Sequence, residues 1–94
     1  MTGGLRIPSP LAVETIKTFL AESSGVHIDG VRFHLPASGA AMQVTYRDVR
    51  GYSHTKTLLA PDARTGNDIQ DMAVMASEWL AHGLTKQMDG ITVQ

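Results

Sequence analysis

Cysteine is absent from the chain. Disulfide bonds and thiolate metal ligation are therefore excluded at the outset, and the lack suits a reducing cytoplasm. Charge of either sign is missing in surplus too: eight Lys and Arg against nine Asp and Glu leave a formal net charge of −1. No long-range field then draws the chain toward nucleic acid or an anionic membrane. No stretch approaches the ~18 consecutive apolar residues that span a bilayer. The opening residues MTGGLRIPSP lack the apolar core of a signal peptide, and their prolines would interrupt one. A cytoplasmic protein without membrane contact is the expectation. Internal repeats and low-complexity tracts are missing as well.

What is present is an ordinary globular composition, 43% hydrophobic and 18% charged over 94 residues, which fits one domain rather than a disordered chain. Residues 1–8 read as a flexible N-terminal arm that Leu5 and Ile7 could dock. Residues 9–94 read as a single globular domain. Ser9-Pro10 gives a helix start, a capping hydroxyl followed by proline at the first helical position. Behind it Ala12, Val13, Ile16, Phe19 and Leu20 form one apolar stripe, with Glu14, Lys17 and Thr18 toward water. Gly25, after Ser23 and Ser24, ends the helix.

Three strand-like segments follow. In residues 31–35, Val31, Phe33 and Leu35 alternate with Arg32 and His34; in residues 40–49, Met42, Val44 and Tyr46 alternate with Gln43, Thr45 and Arg47. A four-residue hairpin loop, Pro36-Ala37-Ser38-Gly39, sets Leu35 against Ala40, Phe33 against Met42 and Val31 against Val44, so the apolar faces coincide. Val26 and Ile28 are out of phase with Val31 and Phe33. A β-bulge at Gly30 restores them to the inner face and sends His27 and Asp29 outward; an Asp29-Gly30 turn is the alternative. Arg50-Gly51 closes a second hairpin into residues 52–60. A two-residue loop there puts His54 and Lys56 on the outer face beside Arg47 and Thr45. A three-residue loop puts them inside, where a lysine is costly, so the shorter loop is expected.

After the loop 61–66, Asn67 reads as a helix cap, with Gln70 three positions on completing a capping box. Asp68 and Asp71 suit the first turn. Ile69, Met72, Ala73, Ala76, Trp79 and Leu80 make the apolar stripe, while Val74, Met75 and Ala81 fall nearer the outer side. His82 lies in the last turn, Gly83 caps the helix, and Leu84 can fold back onto Trp79. Ile91 and Val93 flanking Thr92 suggest a short terminal edge strand. The expected fold is α+β in the order α-β-β-β-α(-β): an antiparallel sheet of three to four strands with both helices packed on one face. Its core is Val13, Ile16, Phe19, Leu20, Val31, Phe33, Leu35, Met42, Val44, Tyr46, Leu59, Ile69, Met72, Ala76, Trp79 and Leu80.

Chemistry is weakly marked. His27, His34, His54 and His82 show no metal-ligand spacing such as H-x-H or H-E-x-x-H, so no metal site or other cofactor is expected. Ser23, Ser24, Ser38 and Ser53 lie in turns or at strand starts without a G-x-S-x-G setting. Phosphate-binding glycine loops are missing, and Met72 and Trp79 are better explained by core packing than by docking. The expected outer sheet face is the one candidate surface: Arg32, His34, Gln43, Arg47, His54 and Lys56, with Thr45 among them. Arginine there offers a planar fork for carboxylate or phosphate. The succession helix, three strands, helix over residues 10–83 is similar to that of the double-stranded-RNA-binding domain in element order alone. That family grips phosphates with a lysine-rich cluster at the start of its second helix, where this chain has Asn67, Asp68 and Asp71, so membership is not inferred. The functional expectation is a small non-enzymatic interaction module. It would contact protein, by hetero- or self-association, through the open sheet face or the C-terminal edge strand. The alternative is binding of nucleic acid or an anionic ligand through the mildly basic face.

Overall fold

The computed structural model describes residues 5–82 and, as backbone, Thr92–Val93. Helix α1 (Pro10–Ser24) begins as its sequence predicts. Ser9 is extended, and its hydroxyl accepts the Ala12 N–H at 3.2 Å, satisfying one of the donors a helix start leaves unpaired. At the other end the Ser23 and Ser24 hydroxyls donate to the Phe19 and Leu20 carbonyls. Gly25 then turns left-handed, at φ 73°, with its N–H on the Ala21 carbonyl, a conformation cheap only without a Cβ.

Strands β1 (His27–His34) and β2 (Ala40–Arg47) pair antiparallel in the expected register, Phe33 against Met42 and Val31 against Val44. The bulge is present as well. Ile28 faces Tyr46 while Gly30 faces Thr45, leaving Asp29 as the extra residue. Ile28 is thereby returned to the inner face, where it is buried. The connecting loop lies so close to the end of the next strand that a Cβ on Gly39 (φ 80°) would sit 2.1 Å from the Ala60 carbonyl oxygen. Only glycine fits there.

Strand β3 (Ser53–Ala60) corrects the sequence reading. Tyr46 pairs with His54 and Val44 with Lys56, so both residues take the inner phase and not the outer one. The loop has three residues, Val49, Arg50 and Gly51, closed by the Asp48 N–H on the Tyr52 carbonyl and the Gly51 N–H on the Asp48 carbonyl, each 3.0 Å. Gly51 is left-handed at φ 87°, which makes the turn plus αL residue typical of three-residue hairpins. The cost assigned to an inward lysine does not arise, because Lys56 is only half-buried and a lysine stem lies along apolar surface with its ammonium in water. The inner phase buries Leu58 and Ala60 in place of Leu59.

Helix α2 (Gly66–Ala81) starts two residues earlier than expected. Thr65 is the cap, not Asn67, and Asp68, not Gln70, reaches back. The Asp68 carboxylate accepts the Arg64 and Thr65 N–H groups at 2.7 and 2.9 Å, a shorter and charge-assisted version of the capping contact. Asp71 consequently lies beyond the first turn, and His82 is the C-terminal cap residue rather than part of the helix.

One core joins both helices to the inner face of the sheet: Leu20 of α1, Ile28 and Val31 of β1, Met42, Val44 and Tyr46 of β2, Leu58 of β3, and Ile69, Met72, Ala76, Trp79 and Leu80 of α2. Leu5, Val13, Ile16, Phe33 and Met75 pack against it half-buried. Two expected core residues are exposed. Phe19 lies at the margin of the α1 stripe, and Leu35 follows the last paired residue of β1. Lys17 is half-buried, and Met75 lies against the core instead of outside it. Residues 1–4 of the arm, the Gly83 cap, the Leu84 fold-back and Ile91 lie outside the described residues.

The phase of β3 has a direct thermodynamic reading. Leu58→Ala is expected to cost about 2–5 kcal/mol, as for other fully buried leucines, and Leu59→Ala distinctly less. Urea unfolding of the two variants checks this, and a larger loss at position 59 would restore the two-residue loop.

Candidate functional site at the hairpin end of the sheet

The structure divides the six candidate residues. Arg32, His34, Gln43 and Arg47 share the outer face, with Arg32 and Gln43 directly paired. His54 and Lys56 stand in the inner phase and leave that set. The outer face is also less cationic than expected. The bulge aims Asp29 at its neighbours, so its carboxylate accepts Arg47 Nε at 3.1 Å and His27 Nε2 at 3.0 Å. Partial desolvation pushes the Asp29 carboxyl up, but the Arg47 hydrogen bond and charge, aided by His27, outweigh it and hold the group below the ordinary carboxylate range. Thr45 and Thr55 share a hydroxyl hydrogen bond of 3.1 Å across β2 and β3. Most of this polarity is internally satisfied, as a solvated sheet face requires.

A denser constellation lies where β2 turns into β3. Asp48 Oδ1 accepts the backbone N–H groups of Arg50 at 2.8 Å and Tyr52 at 3.0 Å. Its other oxygen accepts His54 Nε2 at 2.8 Å. The His54 hydrogen bond is the largest influence on this carboxyl; against some desolvation, and helped by the Tyr52 and Arg50 N–H groups, it holds Asp48 below its ordinary range. The His54 ring stacks on Tyr46, centroids 5.4 Å apart at 27°, and Tyr46 meets Trp79 edge-on at 6.2 Å and 88°, both geometries that aromatic quadrupoles favour. Burial, then the nearby Asp48 charge, pushes the Tyr46 phenol up, so it stays protonated and able to donate.

An acid–imidazole pair is the orienting half of many catalytic sites. Here the same carboxylate is committed to two backbone amides, and the pair serves as the clamp of a turn. Among the described residues no three His, Asp or Glu side chains gather as metal ligands. The clamp leaves its loop prominent: Val49 is 104% and Tyr52 65% exposed. Beside the loop is an open groove of about 470 Å³, reached by Gly25, Val26, Tyr46, Asp48, Val49 and Leu80, with His27 and Arg47 at its rim. A second groove of about 510 Å³ lies between the arm and the starts of both helices, lined by Pro8, Leu11, Ile16 and Ile69 among others.

Sequence reasoning missed Asp48, Val49 and Tyr52. The signal was in the sequence, since Asp48-Val49-Arg50-Gly51 has aspartate first and glycine fourth, the signature of a type I turn. No family model matches the chain, and no curated protein or solved structure matches it either. Among the described residues no helix is long and apolar enough to cross a membrane.

The Asp48 clamp predicts a pH dependence of stability. A carboxyl whose folded pKa is depressed stabilises the fold above its unfolded pKa, and that contribution disappears as pH falls through the folded value. Melting temperature followed on acidification below the ordinary carboxylate range should therefore drop in the native chain. Asp48→Asn should drop less steeply, with Asp29 and Asp68, also depressed, supplying the remaining slope. Parallel acid profiles in the two proteins would show that the clamp contributes nothing.

Proposed function

We propose that this chain is a small, non-enzymatic protein-interaction module whose principal contact is the β2–β3 hairpin tip, Val49, Arg50 and Tyr52. The supporting observation is the combination of exposure and order. Single exposed apolar residues are common on any surface. Val49 and Tyr52, however, project from a turn whose backbone is tied by two carboxylate bonds and two backbone bonds. Ordering a contact loop on binding costs affinity, and a loop ordered beforehand avoids that cost. Tyrosine and arginine are also the residue types enriched in the energetic centres of protein interfaces.

The two surfaces expected from sequence rank below the tip. On the outer face, Arg47 is neutralised by Asp29, and His54 and Lys56 are displaced from it, which weakens the case for nucleic acid or a free anion. The edge at Thr92–Val93 offers two paired residues; as a fourth strand it would cover the end of β3 and leave β1 as the longer free edge. A partner that adds a strand would then use β1, where the Asp29 bulge opposes regular pairing.

Quantitative co-purification with the native chain as bait tests this reading. Val49→Ser with Tyr52→Ser should weaken capture of the enriched protein by about tenfold, corresponding to about 1.4 kcal/mol. Melting should hardly move, because these side chains are exposed. Arg32→Ala with Gln43→Ala should leave capture intact. The opposite pattern would transfer the contact to the outer sheet face. Salt-sensitive binding of RNA or DNA that Arg32→Ala weakens would favour the nucleic-acid reading instead.

A further inference from the structure

Helix α1 is thinly covered by the rest of the fold. Leu20 is its one buried residue. Leu11, in its first turn, is 78% exposed, and Ile7, in the arm just before it, is 55% exposed. Both line the groove of about 510 Å³ between the arm and the starts of the two helices. Exposed aliphatic side chains scattered singly are ordinary, whereas two that wall one hollow make a continuous apolar surface of the kind that marks ligand grooves. Leu5 packs half-buried against the core, so the arm is anchored where Arg6, Ile7 and Pro8 border the groove. Leu11, Ile16 and Ile69 keep the rest of the wall aliphatic.

The charge at this groove is of one sign. Arg6 is the one ionisable residue among the described residues that line it. It is exposed and forms no hydrogen bond or ion pair with any described residue. The acid in the first turn of α2, Asp68, is committed to the Arg64 and Thr65 N–H groups. An exposed guanidinium on a flexible stem turns over the mouth of a groove that its own residue lines, and there it offers paired N–H donors to an anion. The chemistry of the occupant follows. Aliphatic walls favour a hydrocarbon chain. A lone unengaged cation favours a negative head on that chain and disfavours a cationic one. A phosphate monoester, at about −1.5 to −2 charge, exceeds one guanidinium. A carboxylate matches it in charge and accepts its two parallel N–H groups.

We propose that this groove binds a single-chain carboxylate amphiphile, with the alkyl chain along Ile7, Leu11 and Ile69 and the carboxylate on Arg6. The groove shares no lining residue with the β2–β3 tip, so the inference goes beyond the interaction reading and does not depend on it.

Octanoate, kept below its micellar concentration at neutral pH, is the probe. Octanol and octyltrimethylammonium are neutral and cationic comparisons of the same chain length, and acetate supplies the head alone. Each is titrated into the full chain and followed by amide chemical shifts. Octanoate should give saturable shifts at Ile7, Leu11, Thr15, Ile69 and Gln70 with a dissociation constant of about 0.1–1 mM, and should raise the melting temperature as it fills the groove. Octanol should bind about three- to tenfold more weakly, for want of the charge-assisted bonds, and acetate should not bind measurably. Arg6→Gln should reduce octanoate to the affinity of octanol and leave octanol unchanged. Leu11→Gln, at an exposed helical position that tolerates glutamine, should weaken both compounds with little change in melting temperature. Octanol or octyltrimethylammonium binding as tightly as octanoate, shifts that do not saturate, or octanoate affinity untouched by Arg6→Gln would each overturn the proposal. Val49→Ser with Tyr52→Ser should leave octanoate binding intact. A failure at this groove therefore leaves the tip reading standing, and a failure of partner capture at the tip leaves the groove standing.

Discussion

The carboxylate of Asp48 is the constraint on which most of this structure turns. By accepting the Arg50 and Tyr52 N–H groups it holds a three-residue loop between β2 and β3. Loop length sets pairing register, and a change of one residue inverts every side chain of the following strand. The inward course of Leu58 and Ala60, the stacking of His54 on Tyr46 and the half-burial of Lys56 all follow from that one turn. The same turn raises Val49 and Tyr52 clear of the surface. Stability and display are thus set by a single side chain, which is why the core and the proposed contact surface are coupled.

A comparable economy operates at the opposite side of β2. The extra residue of the β1 bulge, Asp29, is brought beside Arg47 and His27. Without the bulge, Ile28 would face water. With it, the apolar pattern is repaired and the outer face acquires a carboxylate that neutralises its arginine. One backbone irregularity therefore supports the core and subtracts from the cationic character of the surface. Such exposed pairs add little stability in themselves; their consequence is the potential the face presents.

Taken together, these two local devices move the centre of interest from the middle of the sheet to its end. The outer face is polar but largely satisfied. At the hairpin end, exposed apolar side chains and an ordered loop occur side by side. Recognition surfaces are commonly built this way, with binding residues on a loop that a rigid scaffold positions.

The sequence by itself determined whatever depends on neighbours a few residues apart. The α1 cap and its glycine stop, the α2 apolar stripe, the β1–β2 register and the bulge were all legible, because capping, helical periodicity and strand alternation are local. Two local patterns competed at the start of α2, and the negatively charged Asp68 displaced Gln70 as the reaching side chain because a carboxylate accepts N–H groups more strongly. Only the tertiary structure decided the phase of β3. Along the sequence an inward lysine counts as a buried charge, whereas in the folded chain Lys56 is half-open to water, and that exposure is a property of the assembled layers. Phe19 and Leu35 were misjudged for the same reason: an apolar stripe states which side of an element turns inward, but how far the opposing layer extends to cover its margin is settled only when the layers meet.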